Sequence, residues 1–249
     1  MTDIAQVLMT WEPDDLDGAV ARVTRSIESF GAACERSGLR GAVVLVDGAF
    51  DAAWCGGDLP VNSPRKLFDE VDDLVKMYGM ERIISSRGGW WSCESAKLTE
   101  GLRLAGTLAS AIIRLDSDET LTDDTDLGAA LDAMRGSHGA MVTWDTVGEQ
   151  AHGSQQVGTK RHLRMFTSSP TLTAGPAYHG SYKVYDERMG EWLALRKRGE
   201  ENAGLPPARV IDCGSLVTIT NHPAERSAAM HEAKARLLAH RYEGACSDR

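Results

Sequence analysis

The chain has 249 residues, of which 42% are hydrophobic and 25% charged, and its formal net charge is −9 at pH 7. This length supports a substantial hydrophobic core, and the acidic balance disfavours non-specific attraction to nucleic acid or anionic lipid. The five cysteines are dispersed without a C-x-x-C pair, the N-terminus lacks the basic-then-apolar pattern of a signal peptide, and no apolar run is long enough to span a membrane. We therefore expect a cytoplasmic protein with reduced thiols.

Apolar runs and helical periodicities alternate through the first half of the chain. The predicted strands are residues 4–9, 41–46, 81–86 and 112–115. The predicted helices, in which apolar residues recur every three or four positions, are residues 20–34, 63–78 and 92–105. The segments between them include expected loops at residues 49–62 and 87–91. This β-α-β-α-β-α-β order predicts an α/β fold with a largely parallel sheet and helices on both faces.

The pattern is looser in the second half of the chain. The predicted helices there are residues 124–135, 187–198 and 224–241. The predicted strands are residues 140–147, 162–166, 182–185 and 216–220. Because no internal repeat or linker interrupts the sequence, we expect one domain that spans residues 1–249.

Carboxylates follow two of the predicted strands directly. Asp116, Asp118 and Glu119 come after the fourth strand, and Asp47 follows the second. In an open α/β sheet, ligands bind at the carboxyl ends of the strands. Asp116 and Asp118 are two residues apart, so in extended backbone both side chains project to the same side, and paired carboxylates suit Mg²⁺ or Mn²⁺. A solvated acidic turn accounts for the same local pattern, and an Asp that starts a turn before Gly is common.

Histidines and a basic cluster supply further candidates. His179 and His222 follow turn or strand residues rather than lying inside predicted helices, which favours side chains that face a cleft. An ordinary surface or core position is the alternative for each lone histidine. Lys160, Arg161 and Arg164 form a dense basic cluster that could meet the phosphates of a nucleotide, a lipid or DNA.

Two adjacent tryptophans, Trp90 and Trp91, follow two glycines near a predicted strand end. Aromatic faces suit sugar rings or bases, although tryptophan is also a routine packing residue. The sequence has no G-x-G-x-x-G, P-loop or G-x-S-x-G motif. Their absence counts against dehydrogenases, P-loop kinases and α/β-hydrolases.

Six stretches together carry a family resemblance that extends over most of the chain. They are residues 44–48, 94–105, 115–119, 161–166, 175–179 and 219–222. The L-D-S-D-E stretch at 115–119 is similar to a metal loop that reads L-D-A-D-E, and residues 161–166 are similar to an R-x-R-x-F strand. In the order and spacing of these pieces, the chain resembles a family-2-type GT-A glycosyltransferase of the subgroup whose metal loop reads D-A-D-E.

The resemblance implies roles for five side chains. Asp47 would hold the nucleoside, and Asp118 would bind a Mn²⁺ or Mg²⁺ cofactor, with Asp116 near both the metal and the sugar nucleotide. A late histidine, His179 or His222, would complete the metal or diphosphate site.

The activity implied by the resemblance is a metal-dependent, inverting transfer of a sugar from a nucleoside diphosphate sugar to a hydroxyl acceptor. The fold implied is a GT-A fold, a Rossmann-like sheet in which residues 1–120 bind the nucleotide sugar and residues 121–249 form a looser acceptor side. The donor-binding residues are expected to be Asp47, Trp90, Lys97, Asp116, Arg161 and Arg164. Gly180 stands where the family has a glutamate after the first late histidine, and our candidates for the catalytic base are Asp145, Glu149 and His179.

Three other functions fit the same residues. The first is the same transfer onto a hydroxymethylated pyrimidine in phage DNA, because a basic cluster and tryptophans suit a flipped base. The second is a nucleotidyltransferase, which would use paired carboxylates and a metal but release pyrophosphate. The third is a non-catalytic nucleotide-binding module. The sequence leaves open whether the acceptor is a glycan, a lipid, a peptide, a small molecule or DNA, and it leaves the oligomeric state open.

Overall fold

The computed structural model describes residues 2–10, 16–50, 65–92, 94–147, 159–168, 172–174, 183–186, 191–194 and 210–222. Within these ranges the helices are α1 (Leu16–Ser37), α2 (Arg65–Met77), α3 (Glu94–Leu108) and α4 (Leu127–Ala133). The strands are β1 (Thr2–Thr10), β2 (Gly41–Phe50), β3 (Glu81–Trp91), β4 (Ala109–Asp116), β5 (Glu119–Leu121), β6 (Gly139–Thr146), β7 (Lys160–Thr167), β8 (Leu172–Ala174), β9 (Lys183–Asp186), β10 (Glu191–Ala194), β11 (Val210–Asp212) and β12 (Thr218–Asn221).

The larger sheet has the strand order β3-β2-β1-β4-β7-β6-β12-β5, with β11 also paired to β6. The strands β3, β2, β1 and β4 run parallel to one another, and β6 is parallel to both β11 and β12. β7 is antiparallel to its neighbours β4 and β6, and β5 is antiparallel to β12. The predicted α/β fold with a largely parallel sheet is therefore confirmed. A separate antiparallel sheet has the order β10-β9-β8.

The strands of the parallel region are covered on both faces, which is why they read as continuous apolar runs. One hydrophobic cluster joins the sheet to α1 and α2 and contains Ile4, Leu8, Val23, Ile27, Phe30, Val43, Leu45, Leu67 and Val71. The other joins the opposite face to α3 and contains Val7, Val44, Leu98, Leu102 and Ile112. The helix α3 lies very close to the sheet, because a Cβ atom placed on Gly101 would be 2.6 Å from Cγ1 of Val7. Successive side chains of β1 and β2 thus divide between two cores.

The loop predicted at residues 87–91 is wrong, because β3 continues to Trp91. The register between β2 and β3 shifts after Asp47, and pairing then resumes between residues 49–50 and residues 90–91. Gly48 allows this irregularity, since its φ of +118° lies in a region that residues with a Cβ rarely adopt. Both strands therefore extend beyond the apolar runs that mark them in the sequence.

The helix predicted at residues 187–198 is also wrong where the structure describes it. Residues 191–194 form β10, which pairs with β9, so cross-strand pairing overrides the local preference for helix. The remaining residues of that prediction, and the helix predicted at residues 224–241, lie outside the described residues. The strands β5, β8 and β11 were not predicted, since three residues are too few to show a period.

The helix α4 is shorter than the predicted helix at residues 124–135. Asp126 is its N-cap and accepts a hydrogen bond from the backbone N of Ala129 at 2.9 Å, so the helix begins at Leu127. No helix in the described ranges is long and apolar enough to cross a membrane. The expectation of one domain over residues 1–249 stays a prediction.

Candidate functional site

Three polar residues lie at the carboxyl ends of three neighbouring parallel strands. Thr10 on β1 is paired in register with Asp47 on β2, and Met9 on β1 is paired with Asp116 on β4. The strand order also reverses here, because the chain builds β2 and β3 on one side of β1 and then places β4 on the other side. Open α/β sheets bind ligands in the crevice that forms at such a reversal. The fold thus brings two of the predicted carboxylates to the expected edge.

The end of β2 is tied down by bonds to backbone carbonyls. Asp47 is fully buried, and its carbonyl oxygen accepts a 2.7 Å hydrogen bond from Nε1 of Trp91. Nζ of Lys97, a residue only 2% exposed, donates to the carbonyl oxygens of Thr10 at 2.6 Å and Gly48 at 2.7 Å. The ammonium group therefore joins the ends of β1 and β2, and a direct role for Lys97 in donor binding stays a prediction.

Asp116 lies between two guanidinium groups. Nη2 of Arg114 is 3.0 Å from Oδ1 and 3.3 Å from Oδ2 of Asp116, and Nη1 of Arg164 is 3.8 Å from Oδ2. The side chain of Asp116 is 28% exposed, whereas those of Arg114 and Arg164 are 4% and 9% exposed. The charge of this carboxylate is thus compensated from inside the protein while part of its surface faces outward.

Glu119 is the buried centre of the same group. Its Oε1 accepts hydrogen bonds from Nη2 of Arg164 at 2.6 Å and Nε1 of Trp144 at 2.7 Å, and its Oε2 accepts one from the backbone N of Asp116 at 2.9 Å. Burial raises the pKa of this carboxyl, which is 2% exposed, while the charge of Arg164 opposes that rise. The sequence places Glu119 in the acidic stretch but assigns it no role, because its partners Trp144 and Arg164 come from strands far along the chain.

Asp118 and His222 meet through their backbones. The carbonyl oxygen of Asp118, which is 4% exposed, accepts a 2.8 Å hydrogen bond from the backbone N of His222. Nε2 of His222 lies 3.1 Å from Oγ1 of Thr120. The structure therefore places the predicted late histidine beside the predicted metal loop, with its ring against the strand β5 that follows the loop.

Unpartnered polar atoms lie at the ends of β6 and β12. Oδ1 of Asp145, Oγ1 of Thr146 and Oδ1 of Asn221 are buried without a hydrogen-bond partner among the residues that the structure describes. Thr146 and Asn221 are direct register partners on the two parallel strands. Buried polar atoms without partners are rare and costly. Three such atoms, one of them on the candidate base Asp145, therefore lie at the ends of these two neighbouring strands.

The strand β7 carries alternate basic side chains. Lys160, His162 and Arg164 are two residues apart and therefore share a side of the strand. The His162 ring lies 5.0 Å from the Trp144 ring, and Nζ of Lys160 is 5.9 Å from that ring. Burial, and then the charges of Arg164, Lys160 and Arg114, lower the pKa of His162 to about 4. His162 is therefore neutral at pH 7.

Arg161 belongs to the other side of β7 and lies apart from Arg164. Its Nη1 donates to Oγ1 of Thr143, and its Nε is 3.3 Å from Oδ1 of Asp212. Glu149 and His179 lie outside the described residues, and only the backbone of Trp90 is described. The predicted roles of Arg161, Glu149, His179 and Trp90 stay predictions.

Asp116 and Asp118 are the carboxylates predicted to bind a divalent metal ion. In the part of the chain that the structure describes, no group of three His, Cys, Asp or Glu side chains could hold a metal ion. Mg²⁺ is commonly bound through one or two carboxylates, with substrate phosphates and water as the other ligands. Two carboxylates at a strand end fit a cation of that kind, although Asp116 is already paired with Arg114.

No protein-family model and no curated protein matches the sequence. Among solved structures, the chain is similar to S. aureus TarS 1-349 in complex with UDP-GlcNAc, with 13% identity and a TM-score of 0.39 over 62% of this chain and 37% of that one. A putative glucose-1-phosphate thymidylyltransferase from Bacillus anthracis has 9% identity and a TM-score of 0.41, with 95% of each chain covered. A 4-diphosphocytidyl-2C-methyl-D-erythritol synthase has 14% identity and a TM-score of 0.42, covering 96% of this chain and 99% of that one.

The similar structures thus include TarS in complex with UDP-GlcNAc and a putative thymidylyltransferase. The chain spans 37% of the TarS fragment. At identities of 14% or less and TM-scores of 0.42 or less, these similarities carry no argument about activity.

Proposed function

We propose that the chain is a glycosyltransferase that binds a nucleoside diphosphate sugar in the crevice between β1 and β4 and moves the sugar to a hydroxyl acceptor in the cytoplasm. The observation that carries this proposal is the placement of Thr10, Asp47 and Asp116 at adjacent carboxyl ends where the strand order reverses. A crevice of this kind, with an acidic residue at a strand end, suits ribose hydroxyls or a base N–H. Asp47 is the residue proposed for that contact.

The diphosphate leaving group would lie against the turn between β4 and β5. Arg114 and Arg164 border this turn and supply fixed positive charge, because both side chains are nearly buried and already oriented by carboxylates. Asp118 and Asp116, with His222 or His179, are proposed to hold Mn²⁺ or Mg²⁺. When bound, such a cation stabilises negative charge on the departing phosphate oxygens.

The acceptor hydroxyl must lose a proton as the glycosidic bond forms, and Asp145, Glu149 and His179 remain the candidates for the base. Among them, Asp145 is supported by its position at the end of β6 and by its unpartnered Oδ1. A carboxylate oxygen that has no donor among the described residues can accept a hydrogen bond, and then the proton, from a substrate hydroxyl. Inversion at the sugar carbon is the outcome proposed.

The test combines a thermal-shift panel with product analysis. UDP-glucose, UDP-N-acetylglucosamine, GDP-mannose and dTDP-glucose would each be added with and without Mn²⁺, since a ligand that binds only the folded state raises its melting temperature. For a donor that raises it, we expect slow release of free sugar by the unmodified chain and none by Asp118→Ala. The Asp118→Ala variant should keep its fold by circular dichroism.

The matched control is Asp72→Asn, which removes a carboxylate from an ion-pair group of Lys76 and Arg82 away from the site. This control should release sugar at the unmodified rate. Release of pyrophosphate from a nucleoside triphosphate and a sugar phosphate would instead identify a nucleotidyltransferase. If no donor raises the melting temperature and none is hydrolysed, the proposed function is wrong.

The acceptor class would be identified by offering glycans, lipids, small molecules and hydroxymethylated DNA with the donor so found. Transfer to DNA would draw on Lys160 and the neighbouring basic residues, and binding should then weaken steeply as salt rises. DNA glycosylation that is indifferent to salt would contradict that use of the basic cluster. The net charge of −9 favours a small or uncharged acceptor over DNA.

A further inference from the structure

We infer that Glu119 is a positioning residue of the site: it sets the geometry of the Asp116–Asp118 turn and the orientation of Arg164 without touching substrate itself. This inference rests on the proposed function for its kinetic consequence. Its structural consequence can be measured without any substrate.

Glu119 receives hydrogen bonds from three separate elements. They come from the backbone N of Asp116 at the end of β4, from Trp144 on β6 and from Arg164 on β7, at 2.9, 2.7 and 2.6 Å. The residue itself is 2% exposed, so these bonds are made away from water. One carboxylate thus joins three neighbouring strands of the sheet at the place where the candidate site begins.

The bond to Asp116 closes the turn that carries the candidate metal ligands. Because Oε2 of Glu119 holds the amide of Asp116 three residues earlier, the two residues between them cannot move independently. The backbone of Asp118 is held from the other side by its bond to the backbone N of His222. Loss of the Glu119 carboxylate would remove the first of these two restraints on the turn.

The bond to Arg164 divides one guanidinium between two carboxylates. Nη2 of Arg164 is 2.6 Å from Glu119, whereas its Nη1 is 3.8 Å from Asp116. Without the charge of Glu119, the attraction between this guanidinium and Asp116, which already pairs with Arg114, is no longer balanced. Movement of Arg164 toward Asp116 would withdraw Asp116 and add positive charge at the place proposed for the sugar nucleotide. Glu119 therefore controls both the position and the charge of the site.

The central variant is Glu119→Gln, which keeps the size and one acceptor oxygen but removes the charge that holds Arg164. We expect kcat for hydrolysis of the donor found above to fall by about tenfold or more, since small displacements of reacting groups cost rates of this order. KM for the donor should change by a smaller factor than kcat, because Asp47 and the end of β2 are untouched while Arg164 shifts. Trp144→Phe removes one donor to Glu119 and keeps the ion pair with Arg164. Its kcat should therefore lie between those of the unmodified chain and Glu119→Gln.

Amide hydrogen exchange supplies the readout that needs no substrate. In Glu119→Gln, exchange should quicken at residues 116–121 and stay unchanged along β1 and β2, relative to the unmodified chain. Asp72→Asn, which neutralises a carboxylate in an ion-pair group elsewhere, should change neither exchange at 116–121 nor kcat.

Unchanged exchange at 116–121 in Glu119→Gln would overturn the inference whatever the activity. A kcat of Glu119→Gln within twofold of that of the unmodified chain would also overturn it. The same holds if Asp72→Asn has the same melting temperature as Glu119→Gln and loses kcat equally. If the unmodified chain hydrolyses no donor while the exchange result holds, the proposed function fails and the positioning of the turn by Glu119 stands.

Discussion

The two sides of the reversal in strand order are built by different means. On the β1–β2 side, the strands are covered by aliphatic side chains, and their ends are tied by Lys97 and Trp91, which donate to backbone carbonyls. On the β4–β7–β6 side, buried charged side chains pair with one another, and Arg114, Arg164 and Glu119 are each less than a tenth exposed. One side is held by packing and backbone hydrogen bonds, the other by charge pairs.

The difference indicates where function lies. Packing of apolar strands is favourable without specific partners, whereas buried ions carry a desolvation cost that a well-packed apolar pair would avoid. Clusters of buried charge are for that reason candidates for functional sites. The charge pairs around Asp116 lie at the candidate ligand-binding edge, in keeping with such a role. The comparison can be tested by removing one charged group from each side and titrating a third.

The largest expected effect is that of Arg164→Met, which leaves Glu119 buried without its cation. We expect a loss of about 3–5 kcal/mol in the free energy of unfolding near neutral pH. Arg164 lowers the pKa of Glu119, so its removal raises that pKa further above the value in the unfolded chain. A raised carboxyl pKa costs stability as pH rises through it, so the loss should be smaller at about pH 5 than at about pH 8.

Urea unfolding at the two pH values measures both quantities. The matched control is Arg103→Met, which breaks an exposed pair with Glu100 on α3 and should cost less than about 1 kcal/mol. An Arg164→Met loss no larger than that of the control, or a loss independent of pH, would show that charge pairing does not hold this side together.

A smaller effect is expected for Lys97→Met on the β1–β2 side. The two carbonyl acceptors at Thr10 and Gly48 would lose their donor, while the cost of burying the ammonium would disappear with it. We expect a net loss of about 1–3 kcal/mol, the usual cost of leaving buried acceptors unpaired. Exchange of backbone amides near the ends of β1 and β2 should quicken. The control is Lys76→Met, because the side chain of Lys76 is 66% exposed. If Lys97→Met is more stable than the unmodified chain, the hydrogen bonds of Lys97 do not stabilise the ends of β1 and β2.

The smallest effect concerns His162, whose pKa is lowered from 6.5 to about 4. As pH falls through this window, the unfolded chain takes up a proton before the folded chain does, so His162 reduces stability progressively between those values. The unmodified chain should therefore lose stability more steeply across the window than His162→Gln. Parallel stability curves for the two proteins would show that burial and the cationic surroundings of His162 do not lower its pKa.

Much of the parallel region could be predicted from the sequence. The runs that form β1, β2 and β4 are continuous and apolar because both faces of these strands are buried, and Asp47 and Asp116 mark the points where the runs end. An alternation of strands and helices requires right-handed crossovers into a parallel sheet, so these strand ends had to share an edge. Chain order and composition alone therefore indicate this edge of the sheet as the candidate ligand-binding edge.

Only the tertiary structure decided how the charges pair. Glu119 lies 25 residues before Trp144 and 45 before Arg164, and no periodicity connects positions so far apart. The extension of β3 to Trp91 and the strand at 191–194 likewise depend on partners elsewhere in the chain. The sequence by itself determined the edge of the sheet and its carboxylates, since apolar runs and turns are local properties. The contacts that orient those carboxylates came from strand pairing over long distances, which local pattern does not encode.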